Sequence, residues 1–236
     1  MQEYQKKIYE FWGEKHPFSF SPPDSKAIQQ QADFYREFII KKTFPKNKEA
    51  KVLDIGCGYG IFLKACQDSG YEKLFGVDII KECAEFIKEK FGIKTISQQD
   101  IVDYLKSRND EEFDVISAID VIEHFKKEEV LDLLKLIRSK LKKGGMFVMR
   151  VPNAGSMSGL YTFYSDITHE TAFTSFLVNE IFSLVDFSKI KILPEYNPKN
   201  VKSLSLYLIQ ALASKVSNSL RNRYIFSGNI IAIGYK

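Results

Sequence analysis

The feature that most restricts this chain is the run Val52-Leu53-Asp54-Ile55-Gly56-Cys57-Gly58-Tyr59-Gly60. An apolar strand broken by one acid ends in alternating glycines, and an amphipathic stretch follows from Ile61. Glycines at such a turn admit positive φ and let main chain approach a ligand with no Cβ in the way. Strand, glycine turn and helix in that order open a doubly wound α/β sheet. A dinucleotide fingerprint requires a further glycine at position 61, where Ile61 stands, so a pyrophosphate-bearing cofactor is disfavoured. Gly76-Val77-Asp78-Ile79 then sets a carboxylate at the end of a second strand. It lies about twenty residues beyond the glycines, the spacing that suits a ribose diol. Taken alone, either motif is also an ordinary turn or a solvated strand-end acid; the pair narrows that choice.

Apolar runs alternate with amphipathic stretches from Lys51 onward, which predicts a parallel sheet with helices on both faces. Strands are expected at Lys51–Ile55, Lys73–Val77, Lys94–Ser97, Phe113–Ala118, Met146–Val151, Ile190–Pro194 and Asn229–Gly234. Helices are expected at Ile61–Ser69, Lys81–Phe91, Lys127–Leu141 and Ser175–Val185, with Gly144-Gly145 as a turn before the fifth strand. At 236 residues this is one domain, 1–236, in four parts. These are an N-terminal helical lid over 1–43, a cofactor-binding core over 51–153, an acceptor-site excursion over 154–174 and a basic helical insertion over 195–227. The start carries no apolar leader and no run is long enough to span a bilayer, so a cytoplasmic protein is expected. Cys57, Cys66 and Cys83 show neither disulfide nor metal-ligand spacing, in keeping with a reducing compartment.

Val52–Gly60, Asp78, Gln99-Asp100-Ile101, Phe113–Phe125 and Lys143–Asn153 resemble, in order and spacing, the motifs of class I S-adenosylmethionine-dependent methyltransferases. The resemblance covers Lys51 to Asn153. It implies a Rossmann-like three-layer sandwich with a seven-stranded, mostly parallel sheet and an antiparallel last strand inserted between its neighbours. N-terminal helices and two insertions complete that fold. It implies S-adenosylmethionine as cofactor and S-adenosylhomocysteine as product. Asp78 would hold the ribose hydroxyls and Asp100 the adenine amino group. Gly56 and Gly58 would line the methionine part, and backbone at Ala118 and Ile119 would meet its amino group. Asp54 would set the electrostatics beneath the sulfonium, and Gly60, Ile79 and Ile101 complete the cofactor-binding set. The cofactor carries a sulfonium and an ammonium but no phosphate, so acids at successive strand ends suit it better than a Lys/Arg cluster. Methyl transfer is a direct displacement that demands alignment and exclusion of water. It demands no metal, and none is expected.

Three histidines are available as proton acceptors near neutral pH. His16 lies in a loop ahead of the glycine motif and reads as solvated. His124, in Glu123-His124, borders the fourth strand and serves either as a base or as a hydrogen-bonded structural group. His169 lies in the excursion, in Asp166-Ile167-Thr168-His169-Glu170, and is the favoured catalytic base, with Asp166 or Glu170 to orient it. A satisfied loop histidine is the alternative. Arg150-Val151-Pro152-Asn153, the Asp-x-Thr-His segment and Phe173-Thr174 resemble methyltransferases of polysaccharide and cell-surface glycan pathways. That likeness implies a sugar hydroxyl as acceptor, with Arg150, Asn153, Tyr161 and Tyr164 as contacts to the ring. Methylation of a small aromatic or isoprenoid acceptor, as in quinone-type pathways, is the second enzymatic reading, and a non-catalytic cofactor-binding domain is the third.

Net charge is only +4, and no Asn/Asp-Pro-Pro-Tyr-like motif follows the fourth strand, which reads Ala118-Ile119-Asp120-Val121. A nucleic-acid substrate is therefore not expected. Leu204, Leu208, Leu212, Val216 and Leu220 predict one helical face, flanked by Lys202, Lys215, Arg221 and Arg223. Packing on its own domain, a dimer contact and peripheral contact with an anionic membrane through 201–223 are the three readings of that stripe.

Overall fold

The computed structural model describes residues 4–5, 7–8, 22–156, 158–195, 205, 225 and 227–236. His16 and, apart from Ser205, the basic stripe over 201–223 lie outside the described residues, as does most of the expected lid before residue 22. The chain divides into two compact units, Met1–Ser117 and Ala118–Lys236.

In the first unit, helix α1 (Ser25–Tyr35) starts where Asp24 accepts a hydrogen bond from the Ala27 N–H at 2.7 Å. That bond satisfies one donor of the first turn, which has no partner within the helix. Its buried residues Ile28, Ala32 and Tyr35 fall three or four apart, and the stripe continues through a π-helical turn, Arg36–Ile40, to Ile39 and Ile40. Tyr35 meets Phe62 edge-on at 5.4 Å, and Phe44 bridges Phe62 and Tyr71. Strand β1 (Val52–Ile55) is buried along its whole length, as expected for a strand covered on both faces. It leads through the glycines into α2 (Ile61–Asp68). β2 (Leu74–Asp78) pairs parallel with β1 and with β3 (Ile96–Gln98), with α3 (Lys81–Phe91) between them in sequence. A short helix α4 (Ile101–Ser107), absent from the sequence-based expectation, follows Asp100 and precedes β4 (Phe113–Ile119).

In the second unit a 3-10 turn (Ile122–His124) leads to α5 (Lys127–Lys140) and β5 (Leu141–Pro152). β5 is longer than expected: the strand runs through Gly144-Gly145, with Gly144 at φ +75°, instead of starting after them. Two helices follow, α6 (Gly159–Tyr164) and α7 (Ser175–Leu184). The latter is capped by Thr174 Oγ1, which accepts from the Leu177 N–H. β7 (Asn229–Tyr235) runs antiparallel to both β5 and β6 (Ser188–Pro194). Phe147, Phe182 and Phe187 stack at 5.1–5.9 Å against this sheet segment. The strand order is β3-β2-β1-β4-β5-β7-β6, a seven-stranded mixed sheet with the antiparallel last strand inserted between its neighbours. The edge strand β6 carries Lys189 and Lys191 and a register shift after Ser188, devices that discourage further pairing. Among the described residues no helix is long and apolar enough to cross a membrane.

Candidate active site

The glycine loop takes its shape from three left-handed residues, Gly56 at φ +64°, Gly58 at +47° and Gly60 at +73°. At Gly60 a Cβ would stand 2.6 Å from Ile87 Cγ1, so both backbone and space require glycine. Gly56 and Cys57 donate their N–H groups to the Val77 carbonyl, and Gly58 donates to Asp78 Oδ2 at 2.8 Å. The other oxygen, Oδ1, accepts from the Ile80 N–H at 2.9 Å. Asp78 thus ties the end of β2 to the loop after β1. Each carboxylate oxygen has more than one acceptor direction, so this anchoring is compatible with ribose hydroxyls arriving as donors. Burial pushes the Asp78 carboxyl up, against the bonds from Ile80 and Gly58, which favour its charged form.

Asp54 is 2 % exposed and accepts from Ser117 Oγ at 2.7 Å. Burial pushes its carboxyl up to about 7, with Asp78 adding to the rise and the Ser117 bond opposing it. The first unit therefore holds two adjacent acids short of compensating positive charge, an arrangement that favours a cationic ligand. Asp100, assigned by resemblance to the adenine amino group, caps α4: its Oδ1 accepts from Val102 N–H at 2.8 Å and Asp103 N–H at 3.4 Å. Ile79 and Ile101 are half-buried beside these acids in the chain.

The second unit begins at Ala118, which is buried, and Ile119, half-buried, at the end of β4. Asp120 then turns the chain with a left-handed φ of +56° and donates its N–H to the Arg150 carbonyl. Arg150, expected as a sugar contact, is held by two acids of its own unit. It forms a bidentate pair with Glu195 at 2.7 and 3.2 Å and a further bond to Asp120. Asn153, expected in the same role, is 1 % exposed. Its amide donates to the carbonyls of Ile225 and Ser227 and its oxygen accepts from the Gly155 N–H. Its side chain therefore clamps backbone. Tyr161 and Tyr164, on α6, are 80 % and 78 % exposed, beside exposed Leu160 and Ile167.

The three expected catalytic residues come together. The rings of His124 and His169 lie 4.9 Å apart. His169 Nδ1 faces the Phe163 carbonyl at 3.0 Å, and its Nε2 lies 3.8 Å from Asp166 Oδ2. Asp166 Oδ1 accepts from the N–H and hydroxyl of Thr168, and Thr168 Oγ1 is 2.9 Å from His124 Nδ1. Burial, and then the neighbouring His169, lower His124 to about 4, so it is neutral at physiological pH. Glu123 completes the group: it is 1 % exposed, and burial followed by the charge of Asp120 pushes its carboxyl well up. The sequence places Glu123 beside His124 but gives no sign that its carboxyl turns inward; Glu195 and Thr168 escape sequence reasoning for the same reason.

A left-handed glycine loop, acids at successive strand ends and an antiparallel strand inserted between its neighbours define a Rossmann-like α/β protein of the methyltransferase type. The family model for the methyltransferase domain matches residues 27–189, and the chain belongs to that family. It is 30% identical over 110 residues to the ubiquinone biosynthesis O-methyltransferase of Haemophilus ducreyi, covering 44% of this chain and 45% of that protein. The Pelagibacter ubique protein of the same name is 26% identical over 160 residues, covering 65% and 64% respectively. The chain thus spans less than two thirds of each of these relatives. A crystal structure of an S-adenosylmethionine-dependent methyltransferase from Archaeoglobus fulgidus superposes with a TM-score of 0.69 at 26% identity, covering 97% of this chain and 99% of that one. The fold is also that of a Haemonchus contortus phosphoethanolamine N-methyltransferase solved with S-adenosylmethionine, at a TM-score of 0.61 and 14% identity over 97% of this chain and 60% of that one. The chain is a class I S-adenosylmethionine-dependent methyltransferase by family.

Proposed function

We propose that this chain transfers the methyl group of S-adenosylmethionine to a hydroxyl oxygen of a sugar in a cell-surface glycan or its precursor. The cofactor is held by the glycine loop, Asp78 and Asp54, whose acids answer its positive charges. The observation that carries the acceptor side is the polar cluster of the second unit, in which His124, His169 and Asp166 converge with Arg150, Asp120 and Glu195 on nearby segments. A pocket for an aromatic ring would be lined mainly by apolar groups. In the displacement the hydroxyl oxygen bonds to the methyl carbon while the C–S electron pair returns to sulfur, giving a neutral thioether. The hydroxyl must lose its proton. His169 Nε2 is the lone pair that answers it, because Nδ1 is engaged by the Phe163 carbonyl.

A second reading, O-methylation of a small aromatic or isoprenoid acceptor, is favoured by the names of the relatives and by the exposed Leu160, Tyr161, Tyr164 and Ile167. Methyl-labelled cofactor, supplied with an extract of the source cells, separates the two. Label in products that glycosidase or mild acid converts to a methylated monosaccharide supports the sugar reading. Label in an organic-soluble product that contains no sugar supports the second and refutes the first.

A further inference from the structure

The Glu123 carboxylate has no place in the roles assigned above. It projects from the 3-10 turn Ile122–His124, it is 1 % exposed, and among the described residues neither of its oxygens has a hydrogen-bond partner. Buried polar groups left unpartnered are rare in folded proteins, and a carboxyl group is costly to leave so, whether it is charged or kept neutral. What surrounds it is a further set of acceptors. Ligand-type atoms of Glu123, His124 and His169 all lie within 4.8 Å of one another. His169 Nδ1 faces the Phe163 carbonyl, which fixes the proton on that nitrogen and presents a lone pair at Nε2. His124 Nδ1 likewise faces a carbonyl, that of Thr168, at 3.2 Å. Outer contacts from a backbone carbonyl to the second ring nitrogen are the usual means of orienting a metal-bound histidine.

The backbone holds the set together across two separate segments. The Glu123 carbonyl accepts from Glu170 N–H at 2.8 Å and Thr171 N–H at 3.0 Å, fastening the turn to the stretch that carries His169. Thr171 Oγ1 adds a bond to the Phe125 carbonyl. Three convergent acceptors on a pinned frame call for a cation.

We infer that Glu123, His124 and His169 bind one divalent first-row metal ion, with an open position for the acceptor oxygen. Two imidazoles and a carboxylate suit zinc and its neighbours, not magnesium or calcium, which prefer all-oxygen sets. Bonds of about 2.0–2.2 Å bring tetrahedral ligand atoms to about 3.3 Å from one another, so side-chain rotation closes the group on loading. The acceptor role rests on the proposed function. With an ion bound, His169 Nε2 is a ligand in place of the base, and the ion lowers the pKa of a hydroxyl at its open position so that the proton is lost to solvent. No ligand spacing is visible in the sequence, because His124 and His169 meet only in the fold.

The full chain, stripped with chelator, is titrated with Co2+ and followed by visible absorption, then challenged with Zn2+. One Co2+ per chain is expected, with d–d bands that Zn2+ abolishes. Glu123→Gln preserves shape while removing the anionic ligand, and His169→Ala removes an imidazole. Each should weaken binding about tenfold or more, with native circular dichroism confirming the fold. Undetectable Co2+ binding overturns the inference, and so does binding that both variants retain at wild-type strength, since the ion then sits elsewhere. Methyl transfer that proceeds unchanged in chelator, with no Co2+ bound, removes the metal site and leaves the proposed function standing. Co2+ bound through Glu123 and His169 without transfer to any hydroxyl keeps the site and removes the proposed function.

Discussion

Asp54 offers a quantitative test of the cofactor side. Its carboxyl is raised from 3.8 to about 7 because it is buried beside Asp78. A sulfonium or ammonium bound there favours the ionised form, so binding below pH 7 must expel a proton. Affinity for S-adenosylmethionine should then be nearly constant above pH 8 and about tenfold weaker at pH 6, a change of about 1.4 kcal/mol. Proton release on binding should rise from near zero at pH 8 through about one half at pH 7 towards one at pH 6. Nearby thiols do not blur this window, since burial pushes Cys57 and Cys66 well above their ordinary values and keeps them neutral. Isothermal titration in two buffers of different ionisation enthalpy measures both quantities. The same shift acts on folding. A carboxyl whose folded value exceeds its unfolded one binds more protons when folded, so stability of the ligand-free protein falls as pH rises from 3.8 to about 7. The full effect is on the order of 4 kcal/mol. Asp54→Asn keeps an acceptor for Ser117 Oγ, so it should flatten both pH dependences, stabilise the ligand-free protein at pH 8 and weaken cofactor binding. A flat affinity between pH 6 and 8 without proton release would refute the reasoning.

Three further outcomes follow from other contacts. Gly60→Ala forces a side chain into left-handed backbone and into Ile87, and should destabilise by about 2–5 kcal/mol in urea unfolding. Asn153→Ala leaves the Ile225 and Ser227 carbonyls and the Gly155 N–H without their partner; a loss of about 2–4 kcal/mol is expected by the same measurement. Arg150→Lys removes the bidentate fork on Glu195 and should cost about 1–3 kcal/mol while leaving cofactor affinity unchanged, which calorimetry checks.

Much of the fold is legible because buried parallel strands write themselves as apolar runs, as β1 and β4 do. The glycine loop is legible because its φ values leave few alternatives, and Asp78 because it ends a strand at the expected distance. Helix α4 is hard to read because seven residues are too few to establish a period, and its capping Asp100 reads equally well as a ligand contact. Helix α6 escapes because it exposes Leu160, Tyr161 and Tyr164, so its apolar residues mark no buried face. The acceptor side is the least legible. Arg150 and Asn153 look like contacts for a polar ring, but their partners, Glu195, Ile225 and Ser227, arrive from distant sequence. Glu123 is an acid in a polar motif until the fold turns its carboxyl inward.

Methyl transfer itself tests the central claim most directly. Tritium-labelled S-adenosylmethionine is incubated with the full chain and an extract of the source cells, beside an Asp78→Ala variant. The account predicts label in a product whose methyl bond survives alkali, as an ether does and an ester does not, together with an equal yield of S-adenosylhomocysteine. The variant should lose that label through weakened cofactor binding, because Asp78 joins the glycine loop to β2. Label that hydrolyses in alkali, or wild-type transfer by the Asp78 variant, would contradict the account.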